Sequence, residues 1–293
     1  MELLDGKQLS QTIKEELKAE TAALVAQGHR PPHLVAILIG DNPASQTYIR
    51  NKVKACNFVG YRSTELLYDT SIKENFLLRK LRSLNADPEV DGILVQLPLP
   101  KHISPTKVIE TIAPEKDVDG FNPINVGRMA KNLPAPLPAT PAGILEMIRR
   151  YGLETKGKEI VVVGNSNIVG SPVSILLARD NEPGNGTVTT CHIHTRDLAF
   201  HTRRADILVV ATGVVNLVTA DMVQEGAVVI DVGINRIEDA SRKTGYRLVG
   251  DVDFAAVAPK CSYITPVPGG VGPMTIAMLL KNNMQLYRAH LGI

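Results

Sequence analysis

Tyr48 and Lys52 stand four residues apart in DNPASQTYIRNKVKACNFVG (41–60). The stretch opens on turn residues, then reads as a helix that stops at Gly60, a C-cap. The i, i+4 spacing puts both side chains on one helix face. A phenol beside an ammonium can tune proton transfer, because neighbouring groups shift a lysine's pKa. On spacing alone the pair also reads as a solvated lysine beside an amphipathic tyrosine. Gln96 is a polar residue closing the apolar run ILVQLPLP. A buried amide needs partners, so Gln96 is either a satisfied core amide or a ligand contact. In EKDVDGF (115–121), Asp117 and Asp119 flank Val118 ahead of Gly120. They form either a solvated turn or a carboxylate grip on a polar heterocycle.

The second group is VVVGNSNIVGSP (161–172). It reads as a buried strand, a glycine turn and a helix starting near Ser171-Pro172, since proline suits a first helical turn. Amides at such a turn, with the helix dipole, favour an anion. Gly164 permits the tight turn and Gly170 permits close helix–strand packing. Ser166 stands where a dinucleotide loop usually carries its middle glycine, and is small enough for a pyrophosphate to approach. A plain glycine turn in a buried βα unit gives the same pattern, but the further βα unit ending in DVG (231–233) favours the nucleotide. His192 and His194 share one face of the strand candidate VTTCHIHT (188–195); without a third ligand at suitable spacing they do not read as a metal site. Cys56, Cys191 and Cys261 lie far apart, without a CxxC or an activating motif, so neither a disulfide framework nor a cysteine nucleophile is expected.

The elements that must carry these residues alternate. Helical spacing over 7–27, the apolar run HLVAILIG (33–40), the helix of 41–60, the short strand STELLYD (63–69), an amphipathic helix over 71–85 and VDGILVQLPLP (90–100) follow in turn. This is the signature of a parallel α/β sheet. FNPINVGRMAKNLPAPLPATP (121–141), with five prolines, interrupts the rhythm and reads as a loop or linker. A helix over 142–152 follows, and strands resume after KGKEIVVVG with 188–195, 205–213 and 226–233. Glycine-rich PVPGGVGP (266–273) precedes a last helix over 274–291.

Length and composition fit two domains of an ordinary globular protein: 293 residues, 44% hydrophobic, 21% charged. A net charge of +2 with no long basic run disfavours nucleic acid as a partner. The polar, acidic start lacks the basic and apolar regions of a signal peptide, and no apolar run is long enough to span a bilayer. A reducing cytoplasm is the expected compartment.

Taken together, YIRNK (48–52), GILVQLPLP (92–100), EKDVDGFNPINVGRM (115–129), ATPAGI (139–144), VVVGNSNIVGSP, DVGINR (231–236), GDVDF (250–254) and PVPGGVGPMT (266–275) identify a resemblance to the bifunctional 5,10-methylenetetrahydrofolate dehydrogenase/cyclohydrolase family over nearly the whole chain. The resemblance implies two α/β domains with a cleft between them. The expected bounds are 1–140 for a catalytic, folate-binding domain, rejoined by 270–293, and 141–269 for a Rossmann-like dinucleotide domain. It implies oxidation of 5,10-methylene- to 5,10-methenyltetrahydrofolate and hydrolysis to 10-formyltetrahydrofolate, within one-carbon metabolism and purine supply. Lys52 would handle protons, Tyr48 would stack on folate, Gln96 would tune Lys52 and Asp119 would bind the pterin. Pro268, Gly269 and Gly270 would line the folate pocket. Gly164, Asn165, Ser166, Val169, Gly170, Arg196, Thr212, Ile234 and Thr275 would hold the cofactor. Family members usually read G-R-S at 164–166 and often H-S-[KR]-T at 192–195; here Asn165 and Ile193 replace the arginine and serine that help bind a 2′-phosphate. His194 and Arg196 could substitute. NADP is therefore the expected cofactor, with NAD possible. Tetrahydrofolate derivatives are the expected small-molecule partners and a homodimer the expected assembly, with no nucleic acid or membrane partner. A dehydrogenase lacking the hydrolase activity, and a non-catalytic folate- or nucleotide-binding protein, are the alternatives.

Overall fold

The computed structural model describes residues 1–242 and 245–293. In chain order the elements are β1 (Glu2–Leu3), α1 (Gly6–Ala26), β2 (His33–Ile39), α2 (Pro43–Val59), β3 (Arg62–Tyr68), α3 (Glu74–Ala86), β4 (Gly92–Val95), α4 (Pro105–Thr111), α5 (Pro123–Ala130), α6 (Ala139–Arg150), β5 (Glu159–Val163), α7 (Gly170–Ala178), β6 (Thr187–Cys191), α8 (Leu198–Thr202), β7 (Ile207–Val210), β8 (Val228–Asp231), β9 (Asn235–Glu238), β10 (Tyr246–Val249), α9 (Phe254–Val257), β11 (Tyr263–Ile264) and α10 (Val271–Leu291). They form two compact units, one of Gln11–Ala139 with Ile276–Ile293, the other of Met1–Ser10 with Thr140–Thr275.

The first unit is built on a parallel sheet ordered β3-β2-β4. Every residue of β2, HLVAILI, is buried, as a central parallel strand covered on both faces requires. Val35, Ile37, Ile39, Ile93 and Val95 pack against Leu77, Leu81 and Leu84 of α3. An isolated parallel bridge between Ile93 and Asp117 lays the segment around Asp117 beside β4. The C-terminal helix completes this unit. Tyr61 donates its hydroxyl to the Leu280 carbonyl at 3.1 Å and Tyr287 to that of Arg30 at 2.6 Å. Asp91, whose side chain is fully buried, takes both Arg30 guanidinium nitrogens at 2.7 Å, the His33 amide at 2.8 Å and His290 Nδ1 at 2.9 Å. The proline-rich stretch 121–141 is not wholly a loop. It contains α5, because Asn122 accepts from the Ile124 amide at 2.9 Å as N-cap and Pro123 fills the first helical position.

The second unit carries a six-stranded parallel sheet ordered β1-β11-β8-β7-β5-β6, plus the antiparallel hairpin β9-β10. Valine-rich β5, β7 and β8 supply its core, with Val161, Val163, Leu208, Val210 and Val229 buried. The first ten residues and 270–275 group with this unit, rather than with residues 11–139 as the expected bounds had it. For the first ten residues the cause is β1, a two-residue strand that pairs parallel with β11, Glu2 opposite Tyr263 and Leu3 opposite Ile264. Among the described residues no helix is long and apolar enough to cross a membrane.

Candidate active site

Parallel strands collect loops at their carboxyl ends, where α/β proteins bind ligands. In the first unit three segments meet this condition. After β2 the chain turns at Gly40 (φ +89°) and the Asn42 side chain accepts from the Ser45 amide at 3.1 Å, starting α2. After β4 comes Gln96, whose amide donates to the Ile37 carbonyl at 2.9 Å. Beside β4 runs the 117–120 segment, tied to it by the parallel bridge between Ile93 and Asp117.

Midway along α2 the Lys52 ammonium lies 4.6 Å from the centre of the Tyr48 ring and 3.3 Å from Gln96 Oε1, to which it donates. Gln96 Nε2 donates to the Leu97 carbonyl at 2.7 Å, which orients the amide oxygen toward the lysine. Lys52 is 4% exposed, so it is no solvated surface residue. Burial pushes its pKa below the ordinary lysine value, while the charges of Asp119 and Cys56 oppose the shift. Asp119 is driven the other way: burial raises it to about 6, against the pull of Lys52 and with a push from Asp117. Tyr48, Lys52, Gln96 and Asp119, four residues from three chain segments, are thus one electrostatic cluster.

The two aspartates divide the work. Asp117 is buried and accepts from the Gly120 amide at 3.1 Å, the Asn122 amide at 2.8 Å and Asn125 Nδ2 at 3.1 Å. It ties the loop together. Asp119 is the aspartate coupled to Lys52. The neighbouring Val118 carbonyl is held by Asn282 Nδ2 of α10 at 2.8 Å, and the same nitrogen donates to the Leu137 carbonyl at 2.8 Å. Nothing in the spacing of the motifs pointed to Asn282. Cys56, one turn beyond Lys52, is raised by burial to about 12, and Cys261 to about 11, which removes both as nucleophiles at neutral pH.

The cofactor candidates lie in the second unit, also at carboxyl ends of parallel strands. Gly164 follows β5 with φ +114°, and a Cβ there would run into the Ala211 carbonyl beyond β7. α7 starts at Gly170, and a Cβ at that position would collide with the Gly164 carbonyl. Between them Asn165 and Ser166 are exposed, and Ser166 Oγ accepts from the Val169 amide at 3.2 Å and the Gly170 amide at 3.4 Å. Past β7, Thr212 is followed by Gly213 at φ +72°. Ile234 follows β8, and Thr275 lies in α10, its hydroxyl 2.9 Å from that of Thr140. A close glycine turn leading into a helix, with neighbouring strand-end loops, fits a dinucleotide. His192 and His194 do not share a strand face as expected. β6 ends at Cys191 and both lie in the exposed turn after it, their rings 5.9 Å apart; Ile193 is 93% exposed and Arg196 is exposed. Gly269 and Gly270 belong to this unit with Pro268, which lines a cavity of about 700 Å³ walled partly by β10.

Comparison with known proteins gives the family. The tetrahydrofolate dehydrogenase/cyclohydrolase catalytic-domain model matches residues 4–119, and the NAD(P)-binding-domain model of the same family matches 138–291. The curated bifunctional protein FolD of Cytophaga hutchinsonii is 58% identical over 285 residues, covering 97% of this chain and 98% of its own. Among solved structures, the bifunctional FolD methylenetetrahydrofolate dehydrogenase/cyclohydrolase of Campylobacter jejuni is 50% identical with a TM-score of 0.92, covering 98% of each chain. A Trypanosoma brucei N5,N10-methylenetetrahydrofolate dehydrogenase-cyclohydrolase complexed with NADP and an inhibitor is 39% identical, also with a TM-score of 0.92, over 99% of this chain and 98% of its own. A strand-end cluster around a buried lysine in one unit and a dinucleotide turn in the other are what these relatives' two activities call for, and the chain belongs to the tetrahydrofolate dehydrogenase/cyclohydrolase family.

Proposed function

We propose that Lys52, held between the Tyr48 ring and Gln96 and coupled to Asp119, is the proton-handling residue of both reactions of this chain. The chain is a bifunctional enzyme. It oxidises 5,10-methylenetetrahydrofolate to 5,10-methenyltetrahydrofolate and hydrolyses that cation to 10-formyltetrahydrofolate. NADP, when bound, accepts the hydride released from the methylene carbon.

The observation that supports the role of Lys52 is its burial beside a directed acceptor. Burial lowers the pKa of Lys52, which raises the share of neutral amine at a given pH, and a base works best when its pKa lies near the working pH. During oxidation, a neutral amine tolerates the positive charge that grows on the bridge. In hydrolysis, water adds to the methenyl carbon and its proton passes to Lys52. The resulting ammonium returns a proton to N5 as the C–N5 bond breaks. The hydroxyl on the former methenyl carbon loses its proton as the formyl C=O forms, so the net reaction consumes one water and releases one proton. Tyr48 supplies a flat face for the folate and confines the ammonium. Asp119, when ionised, accepts paired N–H donors of the pterin. Pro268, Gly269 and Gly270 contribute to the folate pocket.

The loop 164–170, with Arg196, Thr212, Ile234 and Thr275, holds the dinucleotide in this reading. Asn165 and Ile193 lack the charge and the donor that would grip a 2′-phosphate, so discrimination against NAD rests on Arg196 and His194. Free Cys56, Cys191 and Cys261 suit a reducing cytoplasm, and folate derivatives are the partners this reading assigns. The test is initial rates with 5,10-methylenetetrahydrofolate and NADP or NAD, reading methenyl product before and after acid. Methenyl and formyl product with NADP is the expected result. A methenyl product that is never hydrolysed overturns the second activity, and no turnover with either cofactor leaves a binding protein.

A further inference from the structure

DVGINR (231–236) and GDVDF (250–254) contribute two aspartates that neither reaction uses, Asp231 and Asp251. Both are buried, Asp251 completely. One oxygen of Asp251 accepts from the Thr212 amide at 2.6 Å, the Thr212 hydroxyl at 3.0 Å and the Gly213 amide at 2.8 Å. The other accepts from Asn235 Nδ2 at 2.8 Å. Asp251 is itself seated by Asp231, which accepts from the amides of Gly233 at 2.9 Å and of Asp251 and Val252 at 3.0 Å each. The glycines of the two motifs make room for this: a Cβ on Gly233 would strike the Asp251 carboxylate, and one on Gly250 that of Asp231. The turn after β7 and the turn after β8 are therefore fastened to one carboxylate.

We propose that Asp251 is a positioning residue for the dinucleotide. It holds the Thr212–Gly213 turn, and through Asn235 the segment carrying Ile234, in the conformation that receives the cofactor. This rests on the reading that Thr212 and Ile234 contact NADP. A carboxylate is required because donors arrive at both oxygens. An asparagine offers one acceptor oxygen, so its amide nitrogen must face either the turn or the Asn235 donor, and a donor left facing a donor in a buried site is costly.

The experiment titrates NADPH fluorescence against the intact protein and its variants. Hydrolysis of 5,10-methenyltetrahydrofolate without cofactor and thermal melting are measured in parallel. Asp251→Asn is expected to weaken NADPH binding by about tenfold to a hundredfold, the scale of a lost charged hydrogen bond, and to change hydrolysis by less than about threefold. In Asp251→Asn/Asn235→Asp the swapped pair lets the amide nitrogen face the new carboxylate while its oxygen faces the turn, so binding should recover most of the loss. Unchanged NADPH affinity in Asp251→Asn overturns the inference, as does a parallel fall in affinity and hydrolysis without recovery in the swap. Should Asp251→Asn fail to fold, Asn235→Ala is read instead, and wild-type affinity there overturns it. Wild-type protein that binds no NADPH removes the cofactor reading itself, a distinguishable result.

Discussion

Replacing Gln96 by leucine removes the directed acceptor of Lys52 and keeps a side chain of similar size. The Lys52–Gln96 distance of 3.3 Å is long for a charge-assisted bond, which usually measures about 2.7–2.9 Å. The bond therefore belongs at the lower end of the roughly 1.5–3 kcal/mol that hydrogen bonds to charged groups contribute. Taking about 1.5–2 kcal/mol, and one factor of ten per about 1.4 kcal/mol, the hydrolysis rate should fall about 10- to 30-fold. The sign of the pH effect follows from the geometry. Oε1 stabilises the ammonium, so its loss lowers the lysine pKa further below the ordinary value, and the limb that reports Lys52 deprotonation moves to lower pH. Gln96→Glu puts a carboxylate in the same place and moves the limb to higher pH. The assay is the decay of methenyl absorbance across a pH series. A Gln96→Leu enzyme within twofold of wild type at every pH would refute the reasoning, because Lys52 would then not depend on that amide.

Asp119 is raised to about 6, and in its proposed role only the ionised form accepts the paired pterin donors. Folate-analogue affinity should therefore fall about tenfold per pH unit below about 6, and Asp119→Asn should bind weakly with no such slope, as calorimetry at several pH values would read. Asp91→Ala should lower stability by about 3 kcal/mol, since it strands Arg30 and His290, seen as a melting shift of about 6–12 °C. Burial pushes Asp91 up, but Arg30, His290 and the His33 amide more than offset this and hold it below the ordinary carboxylate value. Its stabilisation is thus complete above the unfolded pKa of about 3.9 and is lost as pH falls below that value and through the lower, folded one, so the acid-dependent loss of stability in wild type should run downward from about pH 3.9 and be absent from Asp91→Ala. Asn165→Arg should tighten NADP about 5- to 30-fold relative to NAD, read from the two KM values; an unchanged ratio would show that position 165 does not meet the 2′-phosphate.

The pair Tyr48 and Lys52 was legible because a helix converts a spacing of four into a shared face, and Gln96 because one amide closes an otherwise apolar strand. Spacing could not separate Asp117 from Asp119. Their partners do: the first accepts three donors of its own loop, and the second is coupled to Lys52. Proline count misread 121–141, where Asn122 and Pro123 begin a helix instead of preventing one. The histidines at 192 and 194 looked like one strand face only because β6 was read four residues too long. Strand β1, two residues long, has no periodicity to detect; its partner lies some 260 residues away in sequence. Asp251 was illegible for a similar reason, since its role is to accept from a turn 38 and 39 residues earlier. Asn282, from the returning helix, reaches back 164 residues to Val118.

Whether Lys52 moves the proton is read from the rate of 5,10-methenyltetrahydrofolate hydrolysis in Lys52→Met, a variant of similar length that adds no charge to a buried site. The expected loss is about 10²- to 10⁴-fold, the scale of general acid–base catalysis, with NADPH affinity within about twofold of wild type because the residues proposed to hold the dinucleotide lie in the other unit. Hydrolysis within about threefold of wild type would assign the proton to another group.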